Sequence, residues 1–169
     1  MHKKMSLYLA APLFNDMELN YNANLRDALS PFFNVFLPQE DGLLLREIVD
    51  AGVHEEVASR MVFDADIQAM AEADIILAVL HGAHIDEGVA FELGYGFAHG
   101  KRCIALQEDI RQALPTGNNP MISQSCERVF NYKQDLLAWL GSNFSANFVS
   151  VRNESQPVEN LMCLTNTNL

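Results

Sequence analysis

The sequence predicts an α/β fold built on a mainly parallel sheet of five strands. Short apolar runs alternate with longer stretches of helical periodicity, the signature of strand–helix–strand units. Proline, aspartate or glycine closes those stretches, at Pro12, Pro38, Asp74 and Gly100. The 169 residues have room for one core, and they show neither internal repeats nor a second domain.

Ser6 to Ala11 is the first strand, ended by the loop that Pro12 forces. A helix covers Met17 to Leu29, before Ser30-Pro31, and Asn34 to Leu37 is a second short strand ending at Pro38. Gln39 to Gly52 holds a loop and a short helix. Val53 to Ala73 is helical, with Val57, Met61, Ala65 and Ala69 recurring every fourth residue as one apolar face. Asp74 stops that helix, and Ile75 to Leu80 is the central strand. After the loop from His81 to Ile85, a helix runs from Asp86 to His99 and stops at Gly100. Cys103 to Leu106 is the fourth strand, Gln107 to Glu127 a long connection, Arg128 to Phe130 an edge strand, and Tyr132 to Leu140 the last helix. Beyond Ser142 the chain turns polar and rich in asparagine. Residues 1–146 are therefore expected to form the domain and 147–169 a polar tail.

Charge narrows the function. Twenty-two acidic side chains against eleven basic ones leave a net charge of −11, which argues against binding nucleic acid or other polyanions. Cys103, Cys126 and Cys163 are odd in number and scattered, without a CxxC pair. That pattern suits a reducing cytoplasm and argues against a disulfide framework or a cysteine zinc site. No apolar run reaches the length of a membrane span. Lys3-Lys4 followed by Met5 to Phe14 imitates a secretory signal, but the stretch ends in Asn15-Asp16 without a cleavage site, so a buried first strand explains it better.

Ligands of such sheets bind beyond the carboxyl ends of the strands. The most informative segment there is Asp86-Glu87-Gly88-Val89-Ala90-Phe91-Glu92-Leu93-Gly94-Tyr95-Gly96. Glu92 lies among apolar residues, with Gly88 and Gly96 four positions before and after it on the same helix face. A glycine inside a helix costs about 1 kcal/mol, so it needs a reason. Either the glycines open a groove to a catalytic carboxylate, or they let the helix approach a neighbour while Glu92 is merely paired. Gly94, Gly96 and Gly100 give GxGxxxG inside a helix, which is not a dinucleotide loop, and no Walker motif is present. Asp64, Asp66 and Asp74 read by pattern as a solvated face and a helix end. Asp86 reads as a helix N-cap. His54, His81, His84 and His99 make no metal-binding pattern. Tyr8 and Phe14 are either core residues or an aromatic wall for a flat ligand.

Together these segments resemble the nucleoside 2-deoxyribosyltransferase family. The likeness rests on Tyr8-Leu9-Ala10-Ala11-Pro12-Leu13-Phe14, on Asp66 with Ala73-Asp74, and on the segment from Asp86 to Gly94, and it runs over roughly residues 5 to 145. The resemblance implies a flavodoxin-like, three-layer fold. It implies that Glu92 is a nucleophile that takes the deoxyribosyl group from a 2′-deoxynucleoside as a covalent ester. A second base then receives the sugar with net retention, in a ping-pong exchange. Asp66 matches the acid that protonates the leaving base, so the two carboxyls should have their pKa values pushed apart. Tyr8 matches the residue that positions the nucleophile, Phe14 the aromatic against the base, and Asp86 the carboxylate on the sugar hydroxyls, with Gly88 beside it. Asn119 matches an asparagine that reaches the sugar from a neighbouring subunit. The resemblance therefore implies a homo-oligomer, dimer or hexamer, with shared active sites. Selection between purine and pyrimidine is placed in Gln39-Glu40-Asp41. No metal or organic cofactor is implied; the partners are deoxynucleosides and free nucleobases.

A related group, the 2′-deoxynucleoside 5′-monophosphate N-hydrolases, shares the Glu-Leu-Gly helix and holds a phosphate with serines, one near the position of Asp86. A carboxylate there repels a phosphate and accepts from a 5′-hydroxyl, so Asp86 is expected to select nucleosides. A non-catalytic nucleoside-binding module on the same fold is the other alternative.

Overall fold

The computed structural model describes residues 4–109 and 118–144. Five strands form one sheet: β1 (Ser6–Ala10), β2 (Asn34–Phe36), β3 (Ile75–Val79), β4 (Arg102–Leu106) and β5 (Arg128–Phe130). Their order is β2-β1-β3-β4-β5, and every pairing is parallel, with Tyr8 opposite both Phe36 and Ile76. The chain thus starts centrally, moves to one edge, and returns past β1 to build the other side. The reversal between β1 and β3 is where doubly wound sheets open a crevice.

Helices cover both faces: α1 (Asp16–Leu29) and α7 (Lys133–Phe144) on one, α4 (Glu55–Glu72) and α5 (Glu87–Ala98) on the other. Period-two alternation divides the strand residues between them. Leu7, Leu9, Ile75 and Leu77 meet Leu25, Leu29, Leu136 and Leu140. Tyr8, Ala10, Ile76 and Ala78 meet Met70, Val89 and Leu93. All five residues of β3 are buried, as its central place demands. The expected α/β three-layer architecture is the observed one.

Several expectations shift. Gln39 to Gly52 folds as two short helices, α2 (Pro38–Asp41) and α3 (Leu45–Asp50). The helix expected from Val53 starts at Glu55 because His54 caps it, its ring nitrogen accepting from Glu56 N–H. The apolar stripe of α4 is not covered in its first half. Val57 and Met61 are exposed, while Ala58 and Met70 are buried, because the start of α4 packs on α3 rather than on the sheet. A further short helix, α6 (Pro120–Ser123), interrupts the long connection before β5. α7 continues past Leu140 to Phe144, whose ring packs on Phe33 and Trp139. The expected domain boundary at 146/147 and Cys163 lie outside the described residues; Cys103 and Cys126 are free thiols.

Gly100 ends α5 as expected. With φ +67° it lets Lys101 N–H reach Gly96 O at 2.9 Å and its own N–H reach Phe97 O at 3.1 Å. The Lys101 ammonium meanwhile donates to the carbonyls of Ala71 and Ala73 at the end of α4, at 2.5 and 2.7 Å. One residue therefore closes the carboxyl ends of both α4 and α5.

Candidate active site

Tyr8 sits in the middle of β1 and is fully buried, its ring stacked on Phe36 with centroids 5.6 Å apart. Its hydroxyl donates to Glu92 Oε1 at 2.6 Å, in the short range of charge-assisted bonds. Glu92 is carried there by α5, whose approach to the sheet requires Gly96. A Cβ at Gly96 would stand 2.6 Å from Ile76 Cγ1 and 3.1 Å from Cys103 Sγ. Gly96 therefore serves close packing. Gly88 differs: it is exposed, and a Cβ there would meet only Asp86 Oδ1, at 3.0 Å. The two readings of the glycines thus divide between them, Gly96 as contact and Gly88 as open space beside Asp86.

The electrostatics concentrate on Glu92. Burial pushes its carboxyl up to about 7; the Tyr8 hydrogen bond pulls it down, and the charges of Asp66 and Asp86 raise it again. Burial, with Glu92 and Asp66 adding to it, holds the Tyr8 proton far above the usual phenol range. Tyr8 is thus a permanent donor. Burial also raises the Asp66 carboxyl. Both carboxyls therefore move upward. The Tyr8 hydroxyl is what favours the ionised form of Glu92.

The other carboxylates separate by contact. Asp64 pairs with Arg60 at 3.0 Å on the outer face of α4, and Asp74 accepts from Ser6 N–H and Oγ at 2.9 and 3.0 Å. Both match their pattern readings; Asp66, partly buried and acting on Glu92, does not. Asp86 caps α5 as expected, its Oδ1 accepting from Val89 N–H at 3.0 Å, and its charge also reaches Glu92. One side chain fills both roles.

Tyr8, Glu92, Asp66 and Asp86 therefore interact as one group. Phe14 and Asn119 stand outside it. Phe14 is 76% exposed, which removes the core reading for it, while Tyr8 is core and site at once. Asn119 is exposed and caps α6, accepting from Met121 N–H at 2.9 Å. Among the described residues no hydrogen bond joins Phe14 or Asn119 to the Tyr8–Glu92 pair. The side chains expected to read the base are engaged with the protein. Gln39 bonds Asn22 and Leu19, Glu40 pairs with Arg26, and Asp41 accepts from Leu37 N–H.

Two residues escaped the sequence reading. Asn22 is buried on α1, and its signal was an amide at the helical spacing of Leu25 and Leu29. Phe36, the stacking partner of Tyr8, gave no signal beyond its place in a strand. His81 is edge-on to Tyr21 at 4.7 Å, its Nε2 buried without a partner, and burial lowers its pKa. Among the described residues no cluster of His, Cys, Asp or Glu could hold a metal, and no helix is long and apolar enough to cross a membrane.

Fold and site together define a doubly wound α/β protein with a carboxylate centre under its central strands. Residues 7–162 match the sequence profile described as Nucleoside 2-deoxyribosyltransferase, and the chain belongs to that family of enzymes acting on small nucleosides and nucleobases. The chain is similar to a Thermofilum pendens protein named "Putative 2′-deoxynucleoside 5′-phosphate N-hydrolase 1", with 33% identity over 103 residues, 60% of this chain and 67% of that one. In structure it is similar to the 2-deoxyribosyltransferase of Bacillus psychrosaccharolyticus, with a TM-score of 0.66 and 27% identity, over 80% of this chain and 95% of that one. It is also similar to a conserved protein of Enterococcus faecalis, with a TM-score of 0.68 and 26% identity, over 83% and 99% of the two chains.

Proposed function

We propose that the protein transfers 2-deoxyribosyl groups between nucleobases by double displacement at Glu92. The observation that carries this reading is the 2.6 Å bond from Tyr8 to Glu92, which directs one carboxylate oxygen and favours its ionised form. In the first half-reaction Glu92 attacks the anomeric carbon while the bond from that carbon to the base nitrogen breaks. Asp66, whose pKa burial raises, gives its proton to the departing base. The sugar is then held as an ester of Glu92. In the second half an incoming base attacks the same carbon, the ester bond breaks, and Asp66 takes the proton back. Two inversions give net retention.

Asp86 favours a nucleoside over a nucleotide. The charges acting on Glu92 are those of Asp66 and Asp86, both negative, a poor setting for a 5′-phosphate. The name of the Thermofilum relative supports the alternative of nucleotide hydrolysis, in which water takes the place of the second base.

The exposed side chains Val57, Met61, Phe63, Phe91 and Phe97 lie on the two helices that carry Asp66 and Glu92. A second copy covering this face, in a dimer or in a hexamer assembled from dimers, would bring its Asn119 toward the site. The free thiols Cys103 and Cys126 fit a reducing cytoplasm.

Deoxyinosine mixed with free adenine tests the reading. Deoxyadenosine should form with the wild type and not with Glu92→Ala of intact fold. Absence of exchange with several base pairs, or faster cleavage of deoxynucleotides than of deoxynucleosides, would overturn it.

A further inference from the structure

We propose that Asn22 is a positioning residue for the nucleobase end of the site; the inference rests on the function proposed above. Asn22 is the most deeply buried polar side chain among the described residues, only 1% exposed. It lies three and seven positions before Leu25 and Leu29, on the stripe of α1 that packs on the sheet. A leucine would fill that place at lower cost, so the amide is there for its bonds.

Those bonds join three elements. Asn22 Nδ2 donates to the Pro12 carbonyl at 2.8 Å and to Gln39 Oε1 at 3.0 Å. Gln39 Nε2 in turn donates to the Leu19 carbonyl at 2.9 Å. Pro12 opens the loop between β1 and α1 that carries Phe14, and Gln39 belongs to α2. One buried amide therefore fixes the spacing between the two segments at the carboxyl ends of β1 and β2. Both of its hydrogens are committed, so neither an aliphatic nor an acidic side chain of equal size can substitute.

The same loop is tied to α1 a second time, by Phe14 N–H donating to Glu18 Oε2 at 2.8 Å. Phe14 thus combines a tethered backbone N–H with a residue exposure of 76%. A ring held in that way is placed to meet a flat ligand, and Asn22 sets its distance from α2. Water attacking a glycosyl ester needs no aromatic wall, whereas a nucleobase does. Asn22 therefore governs how the ester partitions between base and water.

Two measurements on Asn22→Asp, which keeps the volume and removes both donors, test this. The first is the ratio of base exchange to hydrolysis for deoxyinosine with adenine. It should fall about tenfold, the scale of two lost hydrogen bonds. A role in stability alone lowers both rates together and leaves the ratio unchanged. The second is hydrogen exchange at the amides of Phe14 and Gly42, which should quicken in the variant without substrate. Asn22→Ser, which keeps a donor of shorter reach, serves if Asn22→Asp does not fold. An unchanged ratio, or unchanged amide exchange, overturns the inference. A wild type that cleaves no nucleoside overturns the proposed function instead, and amide exchange then still judges the bridge.

Discussion

Replacing Glu92 by Gln is expected to stabilise the fold in alkali and leave it unaltered in acid. The residue is half-buried, and burial lifts its carboxyl from 4.5 to about 7. The folded protein then holds the proton more tightly than the unfolded chain. Below pH 4.5 both states are protonated and the carboxyl's favourable contribution is whole. Between pH 4.5 and 7 the unfolded chain gives up its proton while the folded state keeps it, so the contribution shrinks, and it is gone once the pH has risen through 7. A difference of that size corresponds to about 3 kcal/mol. Gln resembles the protonated carboxyl, still accepts from the Tyr8 hydroxyl, and never ionises. Urea unfolding of both proteins between pH 4.5 and 8.5 should therefore show a gap that opens with pH toward about 3 kcal/mol. For a domain of this size that is roughly 6–12 °C in Tm. Parallel stability curves, or a variant that loses stability at every pH, would refute the reasoning. Destabilisation in the ionised form would then not be the cost of burying this carboxylate.

The remaining predictions concern its neighbours. Tyr8→Phe removes a donor to a carboxylate, a bond of about 1.5–3 kcal/mol, so base exchange at pH 7 should fall about tenfold or more with the fold intact by circular dichroism. Asp86→Ala loses the cap of α5 and should cost about 1 kcal/mol in a urea titration. Asp86→Ser keeps a capping oxygen and removes the charge; relative cleavage of 5′-monophosphates should rise, measured by competition between nucleoside and nucleotide. Gly96→Ala drives a methyl into Ile76 and should cost about 1–3 kcal/mol, seen as a lower urea midpoint.

The fold was legible because its signals are local and repeated. The run Ile75 to Leu80 has to lie between two layers, and Pro12, Asp74 and Gly100 end elements for reasons internal to the backbone. Glu92 was legible too, as a carboxylate in an apolar helix flanked by glycines. What failed to show were relations across the chain. How much of the apolar stripe of α4 is covered did not show, because Val57 and Met61 keep helical spacing whether or not a sheet lies beneath them. Asp66 looked like Asp64 until tertiary packing buried one and left the other beside Arg60. Gln39, Glu40 and Asp41 looked available to a ligand, since their partners Asn22, Arg26 and Leu37 are not neighbours that a pattern selects. Helical and strand periodicity report which way a residue points and are silent on what it meets.

Lys101 divides the molecule in a way that bears on its history. Its ammonium and its amide fasten α4 and α5, the helices of Asp66 and Glu92, at the amino ends of the strands β3 and β4. The two helices are therefore braced from behind, by a residue that bonds neither carboxylate. The loops that begin at Pro12 and Pro38 hang from the opposite, carboxyl ends of the strands and are held by their own bonds. Mutations there can change those loops while Asp66 and Glu92 keep their places. A scaffold braced in this manner can retain its chemistry as its substrates drift, so relatives with different substrates should vary in those loops before they vary at the Lys101 brace.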